Sequence, residues 1–426
     1  MTATTGALAI RPLARSGENP ALIAAVARLM VDAYPVMGIT TRDALAAYGQ
    51  RLPELMCDEE PVWVIAESDG ALVAGMRLYD YQMNVRGRDA FTGGVGSVAV
   101  ARTHKRQGIA RALIAWYLDH YRSRDAAFAA LHPFRLDFYR ALGFGHGTPV
   151  HRFRFAPKTL RDGGARGTVR TLAESDLDAL HACYERVRAN TNGLIARHRS
   201  ATARGLADAE LRYVAVEDGG AIRGFMQTSA AGADPELRNR DELIVRHVVY
   251  EDESYLAALL RYLRNQSDQF ARIVVESQDA AFHLASTDPR DGSDVAVAPP
   301  ATHRVAETGL GIMYRILDVE RAIAHVPGAG APFALRLVVD DPFFAPTAGA
   351  WTFQFGPRHS PRRDDTARPD ATLTIGVHDL ASVVLGSLRL RDLVRHRLAT
   401  VEPERATDLV DAAFRVDQPP VCMTRF

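Results

Sequence analysis

The run Gly94-Val-Gly-Ser-Val-Ala-Val100, Arg102-Thr-His-Lys-Arg-Gln-Gly108, Ile109-Ala-Arg111 changes structural period within a few residues. Its first part is small and β-branched, as in a buried strand. Its middle is polar and basic and closes on glycine. Beyond it Ile109, Ala112, Leu113 and Trp116 recur at i, i+3, i+4 and i+7, one face of a helix. A strand that feeds a helix through a basic turn aims unpaired helix N–H groups and the positive end of the helix dipole at one point. Glycine lets backbone approach closely, and Lys105 and Arg106 add fixed charge. This combination suits a pyrophosphate. A basic turn that merely starts a helix has the same residues, so the segment alone leaves both readings open.

Working outward, Val62-Trp-Val-Ile-Ala66 and Ala71 to Leu78 flank Ser68-Asp69-Gly70, a hairpin signature. A helix is predicted around Asn19 to Tyr34. Ala126 to Leu131 reads as a buried strand, and Leu136 to Leu142 as a short helix stopped by Gly143. The first unit is therefore mixed α/β.

The polar seam Ala156 to Gly167 and the Pro327-Gly-Ala-Gly-Ala-Pro332 seam divide the chain into units of about 1–157, 168–326 and 327–426. Ala230 to Arg240, Ser286 to His303 and Gly356 to Asp370 read as surface loops. The middle unit repeats the order of the first. Val169-Arg-Thr-Leu opens it, a capped helix starts near Ser175, and a hairpin at Tyr213 to Met226 matches the one at 62–78. A strand at Leu243 to Tyr250 then precedes a helix at Ser254 to Gln266. It reads as a diverged copy. Where the first unit is basic, this one has Val248-Val-Tyr-Glu-Asp-Glu-Ser-Tyr255, whose carboxylates would repel a pyrophosphate. The last unit shows strands at Phe333 to Val339, Gly349 to Phe355 and Ala371 to Ile375. Helices are predicted at Val377 to Leu385 and Glu404 to Phe414.

Composition excludes several classes. The chain of 426 residues is 47% hydrophobic and 24% charged, and its 51 Lys and Arg balance 51 Asp and Glu. No global field favours nucleic acid or an anionic membrane. The three cysteines, Cys57, Cys183 and Cys422, are too few for a disulfide framework and lack metal-ligand spacing. Met1 to Pro20 has no continuous apolar core, and no apolar run reaches the ~18 residues of a membrane helix. A reduced, cytoplasmic protein is expected.

The strand, basic turn and helix, with basic-x-x-Gly-x-Ala at Lys105 to Ala110, resemble motif A of the GNAT N-acetyltransferases. The preceding hairpin and Phe138-Tyr-Arg-Ala-Leu-Gly-Phe144 follow that fold in order. Lys105 stands where the family has Arg or Gln, which keeps a basic residue there. The resemblance implies an acetyl-CoA site. Val98, Ala99 and Val100 would offer backbone to the pantetheine arm. Arg106, Gln107, Gly108, Ile109, Ala110 and Arg111 would hold the pyrophosphate, with Phe134 and Arg135 near the thioester end.

Two GNAT-like units and a smaller α/β unit resemble the enhanced intracellular survival (Eis) family of acetyltransferases. The likeness implies a degenerate second GNAT-like domain, a sterol-carrier-protein-like third domain, a homohexamer and no metal. It also implies aminoglycosides or lysine side chains as acceptors. In that family the tyrosine before the Gly-aromatic-Gly turn is the proton donor, here Tyr139 before Gly143-Phe-Gly145. The terminal carboxylate is the proton acceptor, here that of Phe426.

The chemistry is reasonable. A phenol of pKa ~10 can protonate a leaving thiolate whose thiol has pKa ~8.5. An α-carboxyl is a weak base in water and gains strength only if burial raises its pKa. On residues alone, Tyr139 on an amphipathic helix also reads as core, and a terminal phenylalanine as packing. His104, His132, Asp137 and Cys422 are lesser candidates: a turn histidine, two substrate-side contacts and a thiol near the chain end. An acyl-CoA or lipid-binding regulatory protein without turnover is the alternative reading.

Overall fold

A computed structural model describes residues 8–14, 18–57, 61–231, 241–293, 295–298, 302–357, 359–424 and 426. Parts of the predicted loops at 230–240 and 286–303, and of the segment 1–20, lie outside the described residues, as does the side chain of Cys57.

The chain forms two compact units. The first joins 1–147, 312–419 and 425–426; the second joins 148–311 and 420–424. The first unit opens with β1 (Ala9–Pro12) and α1 (Pro20–Ala33). The Asn19 side chain accepts from the Ala21 N–H at 2.9 Å, and Pro20 occupies the first helical turn, where its missing donor costs nothing. Helix α2 (Arg42–Cys57) was not foreseen. Gly49 and Pro53 interrupt its apolar period, and packing of Leu52 and Met56 against α1 holds it.

Strands β2 (Val62–Ser68) and β3 (Ala71–Val85) make the expected hairpin, with Asp69 and Gly70 both at positive φ. Strand β4 (Arg88–Val100) pairs with β3 over nearly its whole length. Helix α3 (Ile109–Arg122) then leads to β5 (Phe128–Leu131), α4 (Leu136–Arg140) and β6 (Gly145–His146). Leu113, Ile114, Tyr117 and Tyr121 of α3 cover one face of the sheet. Helices α1 and α2 cover the other over Trp63 and Ile65.

The sheet runs β1-β2-β3-β4-β5, then strand Met313–Ile316, then β6. Residues 313–316 therefore complete a sheet begun more than a hundred residues earlier. The second unit is built the same way, in the order Thr168–Thr171, Arg212–Asp218, Ala221–Ala231, Glu242–Tyr250, Arg272–Ser277, Val150–Phe155, Ala306–Gly309. Its sixth strand, Val150–Phe155, comes from the segment that follows β6. Each unit thus receives its sixth strand from the part of the chain bordering the other, a reciprocal exchange. The expected boundaries at 157 and 326 differ accordingly: 148–157 belongs to the second unit and 312–326 to the first.

Residues 327–419, expected as a third unit, cluster with the first. They form a five-stranded sheet in the order His359–Arg363, Gly349–Gly356, Phe333–Asp340, Ala371–Gly376, Ala399–Glu402. Helices Val377–Leu385, Leu390–Arg395 and Thr407–Phe414 accompany it. Part of the predicted loop at 356–370 is thus an edge strand.

The physical reason for the merger is a buried polar joint. Arg315 is fully buried and donates to the Asp341 carboxylate, to the Thr347 hydroxyl and to the Leu142 carbonyl. Arg140 reaches the buried Asp379 carboxylate at 2.9 Å, and Arg86 Nε donates to the Val384 carbonyl at 2.8 Å. Breaking a buried ion pair by removing one partner strands the other charge. Replacing Asp341 with Ala should therefore cost ~3–5 kcal/mol, read as a lowered denaturation midpoint.

Candidate active site

Strands β4 and β5 are parallel neighbours only from Thr92–Phe128 to Val95–Leu131. Strand β4 runs on to Val100 without that neighbour, so its last residues offer backbone groups along an open edge. Against β3 the register steps from Arg77–Gly96 to Gly75–Ala99, one residue more on β4 than on β3. This is a β-bulge. Ser97 within it has φ 50°, and its hydroxyl accepts from Arg77 Nε at 2.8 Å. The next carbonyl, that of Val98, accepts from the Tyr34 hydroxyl at 2.9 Å. Val98, Ala99 and Val100 thus lie on the strand edge expected of them.

The basic turn follows. Arg106 has φ 63°, Gly108 has φ 83°, and α3 starts at Ile109. Ala112 N–H is the first to find a helical carbonyl, that of Gly108, at 3.0 Å. The N–H groups of Ile109, Ala110 and Arg111 precede that bond, as at any helix start. Lys105, Arg106 and Gln107 are exposed, and no carboxylate of the described residues pairs with Lys105 or Arg106. Arg111 lies over the Phe343 ring at 4.4 Å. The turn thus places exposed Lys105 and Arg106 beside the free N–H groups of a helix start. Reversing Arg106 to Glu should raise KM for acetyl-CoA roughly tenfold or more, the scale of one lost charge-assisted contact. Initial rates against acetyl-CoA concentration check this. His104 pairs locally, its Nδ1 2.9 Å from Thr103 Oγ1.

Tyr139 is buried, with the rings of Phe134, Phe138 and Phe144 around it at 5.1–5.9 Å. Burial pushes its phenol far above the ordinary value, and the nearby Tyr34 phenol adds to the rise. Tyr34 itself is pushed up to about 12, chiefly by burial, against a lowering pull from Arg77. Tyr139 is accordingly protonated at neutral pH. Its helix is short, and the turn that ends it is held from outside. The Phe144 N–H donates to the Tyr139 carbonyl at 3.0 Å, and Arg315 binds the Leu142 carbonyl. Gly143 has φ 84° with Arg315 packed where a Cβ would stand. Gly143→Ala should thus destabilise the unit.

Phe426 lies in the first unit with its ring 5.6 Å from Tyr79, 5.1 Å from Tyr81 and 5.2 Å from His132. A Cβ on Gly96 would stand 2.7 Å from the Phe426 carboxyl carbon. Glycine at 96 is what lets the chain terminus lie on β4, beside the bulge. The structure therefore brings the terminal carboxyl, the bulge and the basic turn onto one strand–turn–helix segment. The Tyr34 phenol, bonded to the Val98 carbonyl of that segment, is close enough to Tyr139 to raise its pKa.

The remaining candidates fall outside this cluster or at its edge. Phe134 is exposed, and Arg135 is exposed and paired with Asp137, Nε to Oδ1 3.0 Å, so that pair is spent on itself. Cys422 is buried in the second unit, and its N–H donates to Gln278 Oε1 at 2.5 Å. Sequence reasoning missed Tyr34, Arg77, Ser97, Tyr79 and Tyr81. The spacing of Arg77, Tyr79 and Tyr81 at i, i+2 and i+4 of a strand would have put them on one face.

The second unit keeps the bulge without the basic turn. His247 has φ 51° where its register against Ala221–Ala231 shifts. The following helix opens on Asp252, whose carboxylate caps the Ser254 N–H at 2.7 Å.

Fold and site define a class, and the comparisons agree. Residues 25–147 match the acetyltransferase (GNAT) domain and residues 319–423 the sterol carrier protein domain. The chain is 34% identical to N-acetyltransferase Eis of Mycobacterium tuberculosis over 376 residues, 82% of this chain and 85% of the relative. It is 26% identical to an uncharacterised N-acetyltransferase of Streptomyces coelicolor over 351 residues, 78% and 80% of the two chains. In fold it matches the crystal structure of Eis1 from Mycobacterium abscessus with TM-score 0.77 at 22% identity, covering 99% and 100% of the two chains.

The protein is thus a GNAT acetyltransferase. It belongs to the Eis family of N-acetyltransferases. Enzymes of the GNAT class use acetyl-CoA as co-substrate. No helix among the described residues is long and apolar enough to cross a membrane.

Proposed function

We propose that this enzyme moves the acetyl group of acetyl-CoA to an amine of a multi-amine acceptor, aminoglycoside-like or a lysine side chain, by direct attack in a ternary complex. The observation that carries this reading is the Phe426 carboxyl on Gly96, one residue from the bulge that the pantetheine arm would follow. Val98 to Val100 would hold that arm, and Arg106 to Arg111 the pyrophosphate. Phe134 would lie near the thioester end; Arg135 is the weakest member of the set, since Asp137 already neutralises it.

The amine nitrogen attacks the thioester carbonyl. As the C–N bond forms, its proton passes to the Phe426 carboxylate. As the C–S bond breaks, Tyr139 gives its proton to the departing sulfur. The products are an N-acetyl amine and free coenzyme A, and the carboxyl group returns its proton to the tyrosinate through solvent. The raised phenol pKa costs less than it would in water, because the thiolate leaves into the same desolvated surroundings, where its own basicity is raised.

A soluble, cytoplasmic homohexamer is the setting we propose from the family resemblance, and light scattering of the purified protein checks the subunit count. Thiol release from acetyl-CoA with polyamines, aminoglycosides and lysine peptides tests the function. Coenzyme binding without thiol release for every amine would favour a regulatory acyl-CoA-binding protein instead.

A further inference from the structure

Arg77 pairs across β3 with Trp63 of β2 on one side and Gly96 of β4 on the other. Directly paired residues of neighbouring antiparallel strands project to one face. Trp63, Arg77 and the terminal carboxyl over Gly96 therefore form a row on a single face of the sheet, flanked by Tyr79 and its contact with the Phe426 ring.

The guanidinium is half-buried, 5.1 Å from the centre of the Trp63 ring, and is steadied by the Ser97 hydroxyl. Its positive charge acts on the Tyr34 and Tyr48 phenols. No carboxylate of the described residues pairs with it, although the terminal one stands a single strand away. The buried Trp63 Nε1–H beside it has no hydrogen-bond partner among the described residues either. The corner is rich in donors and short of acceptors. A partly desolvated cation without a paired counter-charge is costly, and a ligand carboxylate would offset that cost.

We propose that Arg77 receives a carboxylate of the acceptor, so that among multi-amine acceptors the enzyme prefers those that also carry a carboxylate, as free lysine does. The inference rests on the transferase reading and deepens it. With the attacking nitrogen at the Phe426 carboxylate, a group bound at Arg77 lies about one strand spacing away, roughly 5 Å before side-chain reach. That separation suits an amine and a carboxylate on one compact molecule. The two charges of such a molecule then meet opposite charges, its ammonium at the chain terminus and its carboxylate at the guanidinium.

The test is thiol release from acetyl-CoA with matched pairs that differ by one carboxylate: lysine against cadaverine, and ornithine against putrescine. The full-length enzyme should show kcat/KM at least tenfold higher for the carboxylated member of each pair. In Arg77→Gln that ratio should collapse toward one, and Arg77→Lys should restore part of it. Saturation of each variant by acetyl-CoA reports that the unit is folded. Equal or better use of cadaverine and putrescine by the unsubstituted enzyme, with thiol released, overturns the proposal and leaves the transferase reading standing. Absence of thiol release with every amine overturns the reading beneath it. A third arm pairs cadaverine with succinyl-CoA in place of acetyl-CoA. If Arg77→Gln impairs only the succinyl donor, the carboxylate belongs to the acyl group and the assignment to the acceptor fails.

Discussion

Tyr139→Phe should lower kcat by about 100- to 1,000-fold while KM for acetyl-CoA stays within about twofold, since positioned general acids contribute on the order of 10²–10⁴. The substitution removes one oxygen and leaves the ring in its contacts with Phe134, Phe138 and Phe144, so folding is preserved. The split between kcat and KM is the informative readout. A misplaced helix would disturb both, whereas loss of a proton donor affects the step in which sulfur leaves. The sign of the pH dependence is also set. Burial moves the Tyr139 pKa upward, so its proton is fully present across neutral and moderately alkaline pH. Activity should rise with pH as the acceptor ammonium loses its proton, with no alkaline fall from Tyr139 below its ordinary range near pH 10. Unchanged kcat in Tyr139→Phe would remove the residue from the mechanism.

The second large effect concerns the other end of the chain. Extending the protein by a few residues beyond Phe426 converts the terminal carboxylate into a neutral peptide group. It also forces new backbone into the space over Gly96, where even a Cβ would come within 2.7 Å of the carboxyl carbon. Turnover should fall by roughly 100-fold or more, the scale of a lost general base. Proteolytic removal of a cleavable extension that leaves Phe426 terminal should restore it. Gly96→Val serves as an independent check, because it displaces the terminus without altering its chemistry. If the extended protein turned over at the native rate, the carboxylate would have no part in proton transfer.

The residues show why some of this was legible in the sequence and some was not. Segments whose partners lie within a few residues were readable. The hairpin at 62–85 follows from alternation and from two consecutive positive-φ positions at Asp69 and Gly70. Helix α3 follows from its i, i+3, i+4 stripe, and the turn before it from its basic residues and Gly108. Helix α2 was missed because Gly49 and Pro53 blur its stripe, so that only packing against α1 defines it.

The ownership of strands was not readable. Val150–Phe155 is half-buried and Met313–Ile316 fully buried, and nothing in their composition names the sheet that pairs them. The choice between them is made by long-range packing, such as Arg315 on Asp341, which no local period encodes. The way the 327–426 unit joins the first was not readable either: Arg315 and Asp341 pair across the seam at 327–332, and the composition of the seam does not show it.

The strand, basic turn and helix from Gly94 to Trp116 were thus determined by the sequence itself, through periodicity and the conformational preferences of single residues. The bulge at Ser97, the seating of Phe426 on Gly96 and the place of Arg77 beside them were decided by tertiary structure. They depend on strand register and on the meeting of residues hundreds of positions apart, and their energies arise only when the whole unit is packed.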